Sequence, residues 1–347
     1  MWHEGCFPCF AVNKGNQTMN FYRSMPWIAA AVLSFAAATA ANAETIKVAH
    51  ADNQAHPKHQ AFVRFAEIVK EKSGGRLEVE VYPSGQLGDE RELIESLQTG
   101  AVHITSVSNG VMSAFAPQFM LLDIPFSFED AGAARAVIDR SQTLLFDNLE
   151  ELGLHGLAIW EQGFRQVSSS AKGIATSADV KGLKLRTMEA PLHVEAWRAM
   201  GANPTPMSWG QVYSSLQTGI IDGQENPLYV VTQEKLFEVQ KHVSLTNHIY
   251  DAMPVVASGS WFSSLPAADA ELIAAAMTEA TVYQRSLVET EVEKARGELQ
   301  ALGVEVTGTP ASEIAALKEM AQPPVIARIR STLGDEPVDA WLKSISE

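Results

Sequence analysis

Beyond Cys9 the sequence contains no cysteine. From there on, disulfides, thiolate metal sites and a cysteine nucleophile are excluded. Basic residues are the minority, with 26 Lys and Arg against 41 Asp and Glu and a formal charge of −15. Binding a phosphate backbone needs clustered Lys and Arg, and none is found, so nucleic acid is not an expected partner. A GxSxG elbow, an HExxH pair and a phosphate loop are also missing. No nucleophile pairs with a base at an interpretable spacing, so the motifs give an enzyme no support. After residue 44 there is neither a charge run nor a low-complexity stretch. What is present, 46% hydrophobic and 19% charged residues in a chain of 347, suits a globular protein of two ordinary domains.

Arg23 precedes an apolar, alanine-rich run from Trp27 to Ala41, which ends in Ala41-Asn42-Ala43 before ETIKV. This pattern reads as a secretory signal peptide cleaved after Ala43. A spanning helix would need ~20 strongly apolar residues, which this run lacks. Translation starts at Met1 or at Met19. Both cysteines, in the CFPC of residues 6–9, fall upstream of the cleavage point. Removal of Glu4, Lys14 and Arg23 takes the charge from −15 to −16, leaving an acidic, exported, cysteine-free chain.

The sequence SLQTG occurs twice, at 96–100 and at 215–219. The first copy ends a helix expected from Gly88 to Gln98, with Leu93, Ile94 and Leu97 on one face and Gly100 as left-handed cap. TIKVAH, LEVEVYP and VHITSV alternate as strands around this helix and an earlier one over 61–72. The resulting βαβαβ run predicts a parallel sheet with ligands at the carboxyl ends of its strands. The second copy repeats the grammar: LKLRT as strand, a helix over 192–200, NPTPM extended, a helix from Ser208 to Gly219, and IIDG as strand. The repetition marks two lobes built alike. From Pro266 to about Leu302 a sustained helical pattern predicts one helix of roughly 30 residues, ~45 Å long and able to cross both lobes.

Arg186, in DVKGLKLRTMEAP, stands at the carboxyl end of a predicted strand, where a guanidinium can offer a planar two-pronged donor to a carboxylate. An ordinary surface arginine is the alternative. Arg165 in GFRQVSSS is comparable. Trp209 in MSWGQVY and Asn226 in DGQENP would give a polar organic ligand an apolar wall and an amide, or else serve as core tryptophan and helix cap. His56 and His59 are three apart near His50, but Pro57 breaks any helix that would align them on a metal.

VYPSGQLGDERELIESLQTG, DVKGLKLR, GANPTPMSWGQVYSSLQTGIIDGQENP and VQKHVSLTNHIY, in that order, resemble the extracytoplasmic solute-binding proteins of TRAP transporters, the DctP type (family 7). The resemblance implies an α/β, two-lobed periplasmic-binding-protein fold, each lobe a mixed sheet flanked by helices, with a long helix spanning both. Lobe I would comprise 44–163 with 252–291, and lobe II 164–251 with 292–347. It further implies a periplasmic protein without catalysis, metal or cofactor. Such a protein closes over a small organic acid and delivers it to small and large membrane permease subunits.

Arg186 matches the family's carboxylate-pairing arginine, and Arg165 a second arginine that often contacts the ligand. Trp209 matches the pocket aromatic and Asn226 the asparagine of the QEN motif. Glu90, Ser108 and Asn109 occupy the matching first-lobe positions. Ser108 stands where sialic acid binders of the family carry Glu, which argues against sialic acid. Polar Glu90, Ser108, Asn109 and Asn226 suit the hydroxyls of a sugar acid such as a uronate or aldonate, whereas Arg165 as a second cation would suit a C4-dicarboxylate; the sugar acid is favoured. A secreted enzyme acting on an acidic small molecule, or a protein presenting its ligand to a sensor kinase, are the other readings.

Overall fold

The computed structural model describes residues 44–345. The signal peptide, its cleavage after Ala43, both candidate starts and the CFPC pair lie outside the described residues. Eleven strands are described: β1 Glu44–Ala49, β2 Leu77–Tyr82, β3 Ile104–Ser106, β4 Leu154–Phe164, β5 Gln166–Ser169, β6 Lys184–Thr187, β7 Asn203–Pro206, β8 Gly223–Asn226, β9 His242–Leu245, β10 Tyr250–Ser258 and β11 Glu305–Gly308. They form two mixed sheets, ordered β2-β1-β3-β10-β4 and β11-β9-β5-β8-β6-β7.

The duplicated pentapeptide has a structural counterpart. In one sheet β1 is the centre of a parallel trio with β2 and β3; in the other β6 is the centre of a parallel trio with β7 and β8. Each trio then meets an antiparallel neighbour, β10 beside β3 and β5 beside β8. The first SLQTG ends the helix Glu90–Thr99 and the second ends the helix Val212–Gln217, with Gly100 and Gly219 both left-handed, at φ 75° and 73°. A left-handed residue turns the chain out of a helix, and glycine takes that conformation without a Cβ clash.

The copies are not identical. Glu90–Thr99 opens on a capping box, in which Asp89 and Glu92 satisfy the free amides of the first turn. The second helix has no such box at Ser208 and begins instead as the 3-10 turn Trp209–Gln211. The expected IIDG strand starts three residues late, at Gly223; Ile220 is exposed and only the following residues are buried beside β5.

The chain passes between the sheets at three places: β4 to β5 with only Arg165 between them, β9 to β10, and the helix Ala267–Ala301. That helix has 35 residues, about 52 Å at 1.5 Å per residue. Its first half sets Ile273, Met277 and Ala280 among Phe62, Phe65 and Trp160 of the five-stranded lobe. Its second half sets Val288, Ala295 and Leu299 among Val212, Tyr229 and Val243 of the other lobe. Alanines supply much of this face, while Val282 and Val292 lie off it, 70% and 41% exposed. No helix among the described residues is long and apolar enough to cross a membrane.

Pro57 occupies the first turn of the helix Pro57–Lys72, where a missing N–H costs nothing, and His56 is its cap, accepting from the Lys58 amide at 3.1 Å. The proline therefore starts this helix, instead of breaking one as the sequence suggested. At the edge between β5 and β8, a Cβ on Gly223 would collide with the Ser168 carbonyl, a backbone atom that cannot rotate away. Gly223→Ala should cost about 1–3 kcal/mol and lower the melting temperature by a few degrees, measured by calorimetry.

Candidate ligand-binding site

The carboxyl ends of the two trios face one another across a cavity lined by eleven residues from both lobes. Three of its side chains come from each copy of the repeat. Asp52 follows β1, Glu90 opens the helix after β2, and Ser108 follows β3. Arg186 lies near the end of β6, Trp209 opens the turn after β7, and Asn226 ends β8. Glu90 and Trp209 each stand six positions before the serine of their SLQTG copy, so the duplication puts them at equivalent corners. The first trio contributes two acids and a hydroxyl, the second a cation, a ring and an amide.

Arg186 is 3% exposed. Its Nε–H and Nη2–H donate to the Met207 carbonyl at 2.9 and 2.7 Å, and its Cζ lies 5.5 Å from the centre of the Trp209 ring. These contacts fix the plane of the guanidinium and leave Nη1 without a hydrogen-bond partner among the described residues. Arg186 also makes no ion pair among them. Burial, together with repulsion from the Arg165 guanidinium, lowers its pKa to about 10.

Arg165 lines the same cavity in the opposite electrostatic condition. It pairs with Glu225 of β8 and Asp251 of β10, one acid from each sheet, and Glu225 also meets His248 Nε2 at 3.0 Å. Burial alone would lower its pKa, but the two carboxylates outweigh it and the pKa is raised. Its charge is spent inside the protein, at the point where the chain crosses between sheets.

Glu90 Oε1 accepts from Ser108 N and Oγ at 2.9 and 3.1 Å. Lys58 Nζ is 2.6 Å from Asp52 and 3.8 Å from Glu90. Burial raises the Glu90 pKa to about 7, although Lys58 pulls the other way. Asn226 Nδ2 donates to Gln224 Oε1 at 2.6 Å, and the amide does not cap the helix after Pro227, so its oxygen is available to the cavity. Trp209 is half-buried against the second-lobe core, and it serves as cavity wall and core flank together.

Six of the seven residues singled out in the sequence thus line one cavity. Asn109 does not. Its Nδ2 is committed to Phe119 O at 3.0 Å and Asp123 Oδ1 at 2.8 Å, which turns the amide into the first lobe. Asp52 and Gln162 were not foreseen. Asp52 carried a usable signal, since it follows the strand TIKVAH just as Arg186 ends LKLRT; Gln162 sits inside the long strand β4 and carried none. Gln162 Nε2 meets His56 Nε2 at 3.2 Å, and its Oε1 is buried with no donor among the described residues. His50 and His59 meet each other at 3.1 Å, and among the described residues no group of three His, Cys, Asp or Glu could hold a metal.

The two arginines should respond differently to truncation. Arg165→Met strands two buried carboxylates and should cost about 3–5 kcal/mol of unfolding free energy, whereas Arg186→Met strands none and should cost much less; denaturant melts of both variants decide this. Glu90, whose folded pKa lies above its ordinary value of 4.5, contributes stability that is complete below that value and lost as pH rises through about 7. Glu90→Gln should therefore gain stability relative to the native chain on going from pH 5 to pH 8, as read from melting temperatures at the two values.

Comparison with known proteins shows the family of the chain. The profile of bacterial extracellular solute-binding protein family 7 matches residues 48–330. The 2,3-diketo-L-gulonate-binding periplasmic protein YiaO of Escherichia coli K12 is 34% identical over 265 residues, 76% of this chain and 81% of its own. The C4-dicarboxylate-binding periplasmic protein DctP of Rhodobacter capsulatus is 33% identical over 328 residues, covering 92% and 97%. The sugar acid binding protein DctPAm of Advenella mimigardefordensis, solved in complex with galactonate, superposes with a TM-score of 0.85 at 31% identity, covering 88% of this chain and 98% of that one. Family profile, relatives and fold coincide, and the chain belongs to the family 7 extracellular solute-binding proteins, the solute-binding proteins of TRAP transporters.

Proposed function

We propose that this protein captures a sugar acid, a uronate or aldonate, in preference to a C4-dicarboxylate, closes its lobes over it in the periplasm and hands it to the small and large permease subunits, without catalysing a reaction. The observation that carries this reading is Arg186, a buried guanidinium held in plane by Met207 and Trp209 and lacking a protein carboxylate. A ligand carboxylate supplies the missing charge, and closure strengthens the pair by excluding water.

The rest of the wall speaks to the other end of the ligand. Asp52 and Glu90 are acids, and Arg165 is neutralised by Glu225 and Asp251. A second carboxylate would face them without a free cation. Hydroxyl groups suit the same wall, since Glu90, Asn226 and the undonated Gln162 Oε1 are all acceptors. YiaO and the galactonate complex bear names consistent with this class, while DctP is named for dicarboxylates.

A thermal-shift screen of residues 44–347 against uronates, aldonates, C4-dicarboxylates and neutral sugars tests the reading. At a hundredfold excess over Kd a ligand adds about 2.7 kcal/mol to the folded state. Sugar acids should raise the melting temperature and neutral sugars should not. Equal shifts from acids and neutral sugars would overturn the assignment of Arg186. Arg186→Ala should lose roughly two or more decades of affinity for the acid that binds, and Arg186→Lys should recover only part of it, because an ammonium lacks the planar fork.

A further inference from the structure

Away from the cavity, the two lobes meet at a second charged contact. Asp123 ends the 3-10 segment Pro117–Asp123, between β3 and β4 of the five-stranded sheet. His193 is in the helix Pro191–Ala199, between β6 and β7 of the other sheet. His193 Nε2 lies 3.1 Å from Asp123 Oδ1, and both side chains are 1% exposed or less. Asp123 is aimed by its own lobe, accepting from Asn109 Nδ2 and Ser113 Oγ at 2.8 Å each. Beside the pair, Gly110 of the first lobe packs against Met188, Ala190 and His193 of the second. A Cβ there would come within 2.9 Å of Ala190 Cβ and Met188 Cε and 3.1 Å of His193 Nε2. Met188 also lines the ligand cavity, so this contact abuts the site without belonging to it.

We propose that Asp123 and His193 are positioning residues for ligand capture: their buried pair, seated against Gly110, forms as the lobes close and favours the closed state. The inference rests on the reading of the chain as a protein that closes over an acid. It assigns part of the affinity to a contact that never touches the ligand, because apparent affinity scales with the population of the closed form.

The charges around His193 set the direction. Burial lowers its pKa, but Asp123 outweighs it, helped by Glu225 and opposed by Arg165, and the net shift is upward from 6.5. His248 and Asp251, beyond Glu225, also feel His193. The helix Asn109–Met112 and strand β7 bring no ionisable group. The helix Ala311–Leu333 buries Leu317, Ala321, Val325 and Ile329 in the shared core, while its Arg328 lies with Glu195 and Arg198 in a separate surface groove. A proton held more tightly in the closed form makes affinity greatest below pH 6.5 and weaker as pH rises through the raised value.

The cysteine-free chain from Glu44 allows the test. Glu67→Cys and Ile220→Cys, one exposed site per lobe, carry a dye pair that reports interlobe distance while galactonate is titrated at pH 5.5, 7 and 8.5. In the otherwise native chain, affinity should fall at least about threefold across this range. His193→Gln should show a shallower slope, since Glu90 and Glu234, the latter also raised by burial to about 7, titrate alike in both. Gly110→Ala, allowed by its own backbone, should hold the lobes apart and weaken binding about tenfold at every pH. Equal pH slopes with and without His193, or normal closure of Gly110→Ala, would overturn the proposal. If galactonate does not bind, that counts against the ligand class alone, and the closed fraction of the free protein is read instead; a fraction in the otherwise native chain that does not rise as pH falls overturns the clasp.

Discussion

An arginine buried without a carboxylate is the constraint around which this molecule is arranged. Removing a cation from water is unfavourable, and the protein offers Arg186 only a carbonyl and a ring in return. The fold has to hold the guanidinium in place. It does so with a strand end, β6, and with the turn that starts at Trp209. The second lobe therefore presents an under-neutralised cation to the cleft, and the first lobe presents the acceptors of Asp52 and Glu90.

A second arginine shows what full neutralisation looks like. Arg165 occupies the single position between β4 and β5 and joins Glu225 of one sheet to Asp251 of the other. Gly163, left-handed at φ 95°, lies two residues before it against Val288 and Val292 of the long helix. Charge, backbone turn and helix meet where the lobes are tied together. One arginine thus organises the connection and the other the cleft, although each merely follows or occupies a strand in the sequence.

Much of this was legible in the residues. The doubled SLQTG foretold two parallel trios with left-handed glycines, and the pattern from Pro266 foretold the long helix, because local periodicity decides these features. The antiparallel strands β10 and β4 that complete the first sheet are set by pairing across some ninety residues of chain, which no local pattern encodes. At the site, the residues themselves pointed to Arg186, Trp209 and Asn226, and the family resemblance to Glu90 and Ser108. Asp52 could have been found by the same strand-end argument. Nothing in GFRQVSSS distinguished a neutralised Arg165 from a ligand-binding one, since its partners Glu225 and Asp251 lie 60 and 86 positions away. Asn109 stands outside the cavity for a similar reason, its amide being claimed by Asp123.

The central claim is that a ligand carboxylate completes Arg186. A crystal structure of residues 44–347 grown with galactonate tests it most directly. The account predicts the carboxylate at hydrogen-bonding distance from the Arg186 guanidinium, with hydroxyls toward Glu90, Gln162 and Asn226. A galactonate whose carboxylate points away from Arg186, with a hydroxyl or water on the guanidinium instead, would contradict it.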